Sequence, residues 1–240
     1  MIAIPSCICG SPNTVRSHII PRALIHDSKE GEQAVAYGER GEAGHRLRQS
    51  GKFDQNILCE EHERITGDID RYGVDFVRVL NIAGQSAKGS SAVYVPNSNP
   101  KLLVRFALSV IWREIHSGHG VKRGLTLGTA SDRICQAIFK DGDVSAPTIV
   151  SYQQFTGERN ERVPVGIHPF RVRMFDRIFW QFTVVGCGIW ICTDGRGLPA
   201  KFDGVRADLN DPVRAAVGDP RSLSDVGILQ GIFRDMRSRR

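Results

Sequence analysis

No apolar run in this chain approaches the roughly 18 residues that a membrane-spanning helix needs. The longest, VVGCGIWIC at residues 184–192, stops far short of it. The first ten residues, MIAIPSCICG, have neither a basic leader nor a sustained apolar core. No export signal is therefore expected, and the protein is expected in the cytoplasm. No internal repeat stands out. Cysteine is sparse, six in 240 residues, and unevenly placed. In a reducing compartment, Cys clustered with His reads as a metal-ligand set, and scattered Cys as buried thiols.

What is present is a chain long enough to bury a core as one large domain or two small ones. Its 41% hydrophobic and 24% charged residues are ordinary for a globular protein. The net charge of +6 mildly favours an acidic partner such as nucleic acid.

The expected architecture is α+β, in three parts: residues 1–83, 99–145 and 146–240. In the first, the stretch rich in Gly, Glu and Arg between His26 and Asp54 suits an extended hairpin or a loop. From Glu60 onward His62, Ile65, Ile69, Tyr72, Phe76 and Val79 recur at three- and four-residue steps, one stripe of a helix. Gly67 and Gly73 each weaken that helix by about 1 kcal/mol relative to Ala. In the second part, Asn99 is placed to cap a helix and Pro100 to begin it. Leu102, Leu103, Phe106, Val110, Ile111 and Ile115 then mark a face that must be buried against the first part. A shorter helix follows, with Thr129 and Asp132 in capping-box positions. The third part is dense in β-branched and aromatic residues. Gly186 to Gly188 suits a turn between strands at 179–185 and 189–192. A final helix is expected from Ser222, ending in a tail with four arginines.

Cys7, Cys9, Cys59 and His62 form two close pairs, and four Cys or His ligands are what zinc prefers. Cys59-x-x-His62 at a helix start turns both side chains the same way. Cys7 and Cys9 are separated by one residue only, with Gly10 after the second. The alternative is a set of unrelated buried thiols and a surface histidine. Cys135, Cys187 and Cys192 lie in apolar patterns and read as core residues.

The order of a Cys pair, SHIIPR (residues 17–22) and NILCEEH (56–62) leading into a helix resembles the HNH, or ββα-metal, treble-clef endonuclease superfamily. It resembles more narrowly a group of bacterial and phage proteins with a Cys pair, SHIIP, LC-x-x-C and a segment like FALSVIWR (106–113). The resemblance implies an N-terminal zinc-bound treble clef, a helical middle packing on it, and a β-rich C-terminal part. It implies that His18 is the general base that activates water against a phosphodiester, with Asn56 as the residue that orients it. It also implies a divalent cation, Mg²⁺ or Mn²⁺, neutralising charge on the phosphate. Here the chain departs from the pattern. Ser17 stands where an acidic neighbour is usual, and Glu63 where a histidine is usual. Glu61, Glu63 and Asp68 are the carboxylates left to hold such an ion.

Trp112, Arg113, His116 and His119 gather at one helix end, read as a core tryptophan beside a polar terminus or as a second site. GHRLRQSGK (44–52) reads as a phosphate-contacting arm or a solvated loop. Two functions follow from the sequence: a metal-dependent HNH-type endonuclease, or a treble clef that has lost catalysis and binds nucleic acid or a protein, as a phage counter-defence or regulatory module would.

Overall fold

A computed structural model describes residues 7–28, 35–38, 45–48, 51–87, 90–143, 146–153, 165–174 and 176–218. The helix expected from Ser222 and the arginine tail lie outside them. The elements are β1 (Thr14–His18), α1 (Arg22–Asp27), β2 (Val35–Gly38), β3 (His45–Arg48), β4 (Phe53–Cys59), α2 (Glu60–Ser86), β5 (Ala92–Val95) and α3 (Pro100–His116). They continue with α4 (Gly118–Lys122), α5 (Ser131–Phe139), β6 (Thr148–Gln153), β7 (Val165–Met174), β8 (Arg177–Val184), β9 (Cys187–Cys192) and β10 (Val213–Gly218). The fold is mixed α and β, with a helical middle and a β-rich C-terminal part.

The N-terminal part is a helix and a two-stranded antiparallel ribbon, a hairpin in which α1, β2 and β3 are inserted between the two strands. β1 and β4 pair antiparallel as a separate two-stranded sheet, with Thr14 opposite Cys59 and His18 opposite Phe53. α2 follows β4 without a break. Neither glycine interrupts it, because tertiary packing repays their helix cost. A Cβ at Gly73 would lie 2.2 Å from the Phe106 ring, so the missing side chain is what lets α2 and α3 approach.

α3 begins as expected: the Asn99 side chain accepts a hydrogen bond from Leu102 N at 3.1 Å, with Pro100 in the first turn. Phe106, Val110 and Ile111 are buried, but so is every residue from Phe106 to Ile115. A helix covered on all sides is a central helix and not an amphipathic one at the surface. α5 differs from expectation. Thr129 sits in a 3₁₀ turn (Gly128–Ala130), the helix starts at Ser131, and no side chain caps it.

The large sheet has eight strands in the order β3-β2-β7-β8-β9-β6-β10-β5. The segment after α1 is thus a hairpin, and it extends the C-terminal sheet beside β7. The β8–β9 turn is tighter than expected. Val185 and Gly186 form it with φ of 49° and 76°, while Gly188 belongs to β9. Two left-handed residues match the twist of the flanking strands.

Alternation along β9 divides the apolar residues. Cys187, Ile189 and Ile191 join a core shared with α2 and α3. Trp190 and Cys192 join a smaller one with Phe170, Phe179 and Leu198 on the other face. The larger core runs from Cys7 to Ala215 and draws on all three parts of the chain. Among the described residues, no helix is long and apolar enough to cross a membrane.

The two α2 glycines should respond oppositely to substitution. Gly73→Val should lower stability by about 1–3 kcal/mol through overpacking against Phe106. Gly67→Ala, with nothing within 4 Å of its Cβ position, should raise it by up to about 1 kcal/mol. Urea unfolding of the two variants checks this, and equal effects would show that α2 and α3 are not in close contact.

Candidate metal centre

Two short local structures bring four ligand atoms together. Residues 7–10 form a tight turn in which Gly10 N donates to Cys7 O at 2.7 Å and Gly10 takes φ 79°. The turn is what lets Cys7 and Cys9 face one point despite their single-residue spacing. β4 ends in Cys59, which occupies the cap position of α2, and His62 follows in the first turn. The Thr14–Cys59 pairing lays the first turn over the second pair.

The donor atoms of Cys7, Cys9, Cys59 and His62 all lie within 4.8 Å of one another. Cys9 Sγ is 3.8 Å from Cys59 Sγ, and His62 Nδ1 is 3.5 Å from Cys7 Sγ and 3.2 Å from Cys59 Sγ. A tetrahedral ion at usual bond lengths sets its ligands ~3.8 Å apart for two sulfurs and ~3.5 Å apart for sulfur and nitrogen. The four residues therefore fit a metal ion and could hold one. The hydrogen bond to His62, aided by the backbone there, lowers the Cys59 thiol to about 6, whereas burial raises Cys7 to about 11. Phe139 packs edge-on against the His62 ring at 5.0 Å and fixes its plane.

His18 closes β1, on the same hairpin. Its backbone carbonyl accepts from Arg113 Nη1 at 2.8 Å. The same guanidinium grips Asp70 of α2 with two hydrogen bonds of 2.8 and 2.6 Å. The His18 ring centre lies 5.9 Å from that of Phe53, and the Arg16 guanidinium sits over the Phe53 ring, 3.6 Å from its centre. Arg16, His18 and Phe53 thus form one cationic and aromatic surface on β1 and β4.

The other predicted residues are more dispersed. Asn56 is exposed, its backbone N bonded to Asp54 Oδ1 at 2.8 Å, and it lines a cavity on the α5 side. No hydrogen bond joins it to His18 among the described residues. Ser17 is buried against the Glu63 carboxyl. Burial raises the Glu63 pKa, and Ser17 and Arg113 only partly offset this. Glu61 is exposed in the first turn of α2, and Asp68 pairs with Arg71 at 3.4 Å. Among the described residues, the Cys/His cluster is the group of three or more potential ligands that converges.

The histidines at the end of α3 diverge. His116 stacks on Trp112, ring centres 4.1 Å apart, and burial lowers its pKa despite a hydrogen bond to the Trp112 carbonyl. His119 lies 2.6 Å from Lys52 Nζ, which in turn bonds both Glu114 oxygens at 2.9 and 3.2 Å. His168 of β7 is 3.9 Å from Glu114. Lys52 is therefore not part of a solvated arm: it is buried, and it neutralises a buried carboxylate. The signal that sequence reading missed was the pair Arg113–Glu114 inside the apolar run LSVIWREI, since adjacent charges in a buried stretch must each have a partner.

No protein-family model matches the chain, and no curated protein or solved structure does either.

Burial alone would raise the Glu114 carboxyl, but the His119 hydrogen bond and the charges of His168 and Lys52 bring it down from an ordinary 4.5 to about 2. A depressed carboxylate stabilises the fold above its unfolded pKa, and the contribution disappears as pH falls from about 4.5 toward 2. Glu114→Gln should cost about 3 kcal/mol at pH 7 by stranding Lys52. The gap between variant and wild type should close over that acid window. Thermal melts at pH 7 and pH 3 measure this; a gap independent of pH would mean Glu114 does not carry the charge.

Proposed function

We propose that the chain is a zinc-organised treble-clef module of HNH type that acts on nucleic acid, with His18 as the base that activates water for phosphodiester cleavage. The observation that carries this reading is the convergence of Cys7, Cys9, Cys59 and His62 where the β1–β4 hairpin meets α2, with His18 on that same hairpin. Three sulfurs and one imidazole nitrogen form a donor set suited to zinc, and with all four positions filled by protein the ion is structural. It would hold the first turn onto the helix start. Arg113 would keep His18 in place through its carbonyl, and the Arg16–Phe53 surface offers a cation and a ring to phosphate and base.

Zinc binding in such a site is folding free energy. Elemental analysis of protein prepared without chelators should find one zinc per chain. Cys59→Ser should lose it and melt the N-terminal part, seen as lost amide protection over residues 7–28 and 53–86. Retained zinc in that variant would place the ion elsewhere.

The cleavage assay uses plasmid with Mg²⁺ or Mn²⁺. Removing a general base typically costs about 10²–10⁴-fold in rate, and His18→Ala should show a loss of that size. Zinc content and salt-sensitive binding should persist, because phosphate contacts release counterions whether or not cutting follows. Cutting that survives His18→Ala would sink the assignment of the base.

One observation favours a second reading, a treble clef that binds nucleic acid or a protein without cutting. Where the pattern calls for acidic ligands, Ser17 and a half-buried Glu63 lie beside the Arg113 cation. The residues there do not fit a second, catalytic cation, and of the candidate carboxylates only Glu61 and Asp68, both exposed on α2, are open to solvent, Asp68 already paired with Arg71. Wild type that binds in a salt-sensitive way but never cuts would leave a nucleic-acid-binding treble clef, and wild type that neither cuts nor binds in a salt-sensitive way would leave a protein-interaction module of counter-defence or regulatory kind.

A further inference from the structure

We propose that the cavity between the Cys/His cluster, the C-terminal end of α3 and α5 is a pocket for a single unpaired nucleobase. The inference rests on the nucleic-acid reading above and gives the substrate a second point of contact, separate from His18. The cavity has a volume of about 860 Å³, within the range of sites that enclose small ligands.

Part of its wall is aromatic, although Trp112 itself is only 2% exposed beneath His116. His116 lies flat on the Trp112 indole with 21° between the rings, and Phe139 meets that indole edge-on at 5.1 Å. Ile8, in the turn at residues 7–10, and Val121 of α4 are on its lining and are 43% and 64% exposed, so apolar surface borders the space. A purely apolar ligand is nonetheless a poor match, because hydrogen-bonding groups also face the space.

His116 is the most informative of them. Its Nδ1 is 2.9 Å from the Trp112 carbonyl oxygen. A carbonyl only accepts, so the proton is on Nδ1 and the lone pair on Nε2. Among the described residues nothing bonds that Nε2. It is a fixed acceptor in an aromatic wall, suited to an exocyclic amine or a ring N–H. Asn56 and Gln136 bring carboxamides to the same cavity, both residues exposed. A carboxamide offers a donor and an acceptor side by side, the pattern that reads a base edge. Lys140, also on the lining, supplies a cation for a phosphate.

The position suits a strand that also meets His18. Asn56 is three residues along β4 from Phe53, the residue opposite His18, in the stretch where the β1–β4 register shifts. Nucleic acid whose phosphate lies on the Arg16–Phe53 face can place a neighbouring unstacked base at the cavity mouth. Stacking on aromatic side chains is worth roughly ten- to hundredfold in affinity per base, tolerant of base identity.

The test compares a mixed-sequence single-stranded DNA of about twelve nucleotides with a wholly abasic strand of equal length. Binding is followed by fluorescence anisotropy across a salt series. The variants are His116→Phe, which keeps a ring on Trp112 and removes the acceptor, and Gln136→Ala on the exposed face of α5; melting temperatures confirm that both fold. The abasic strand should bind at least tenfold more weakly than the DNA. Both variants should weaken DNA binding toward the abasic level and leave the salt slope unchanged. Equal affinity for the two strands, or variants that bind DNA like wild type, would overturn the pocket while leaving the nucleic-acid reading intact. If wild type binds neither strand, that reading fails, and titration of the four free nucleosides followed by tryptophan fluorescence decides the pocket. A quench by a nucleoside that disappears in His116→Phe supports it, and no response to any nucleoside overturns it.

Discussion

One guanidinium without solvent-exposed surface joins three elements. Arg113 of α3 bonds the carbonyl of His18 at the end of β1, grips both carboxylate oxygens of Asp70 on α2, and reaches back to Ser109 O in its own helix. A buried charge is stable only when its partners satisfy it, and removing one side of such a pair typically costs about 3–5 kcal/mol. Burial already raises the Asp70 pKa against the pull of Arg113, so the carboxylate depends on that cation. Lysine could not replace it. An ammonium has no planar fork with which to hold Asp70 at two points and a carbonyl at a third.

The next residue repeats the arrangement in another direction. Successive residues on a helix point about 100° apart, because 3.6 residues complete a turn. Arg113 therefore addresses the β1–β4 hairpin and α2, while Glu114 addresses Lys52, His119 and, on the large sheet, His168. Two adjacent charges in one central helix thus connect the small N-terminal hairpin to the C-terminal sheet. Lys52 is joined from the other side too, since its carbonyl accepts from Ile19 N. The position of His18 is consequently set by α3 from two sides, through Arg113 at its own carbonyl and through Lys52 one residue on.

The Cys/His cluster constrains the opposite end of the same hairpin. It ties the turn at residues 7–10 to the start of α2, while α3 holds the end that carries His18. Between the cluster and α3 lies the cavity lined by Cys9, His62, Trp112 and His116. The Arg16–His18–Phe53 surface and the cavity are thus separate surfaces of one packed unit. β4 connects them, with Phe53 at the His18 end and Asn56 at the cavity.

The sequence by itself determined the local features whose causes are local. Asn99 and Pro100 start α3 because capping involves neighbours in the chain, and the spacing of Cys59 and His62 places both on one helical turn. The apolar, β-branched composition after residue 146 marks strands wherever they pair. The four Cys and His positions were legible because few other residue types serve as soft ligands. Tertiary structure decided what depends on residues far apart. Gly73 is a weak point for α2 taken alone, but Phe106, 33 positions away, packs against it. Lys52 ends a basic stretch of sequence, but its partner is Glu114, 62 residues on. Asn56, three residues before Cys59, lies where the β1–β4 register shifts, and it lines the cavity. Charge and spacing are properties of a sequence, whereas desolvation and partnership arise only when distant segments pack, and these set which charged residues hold the fold and which lie at the surface.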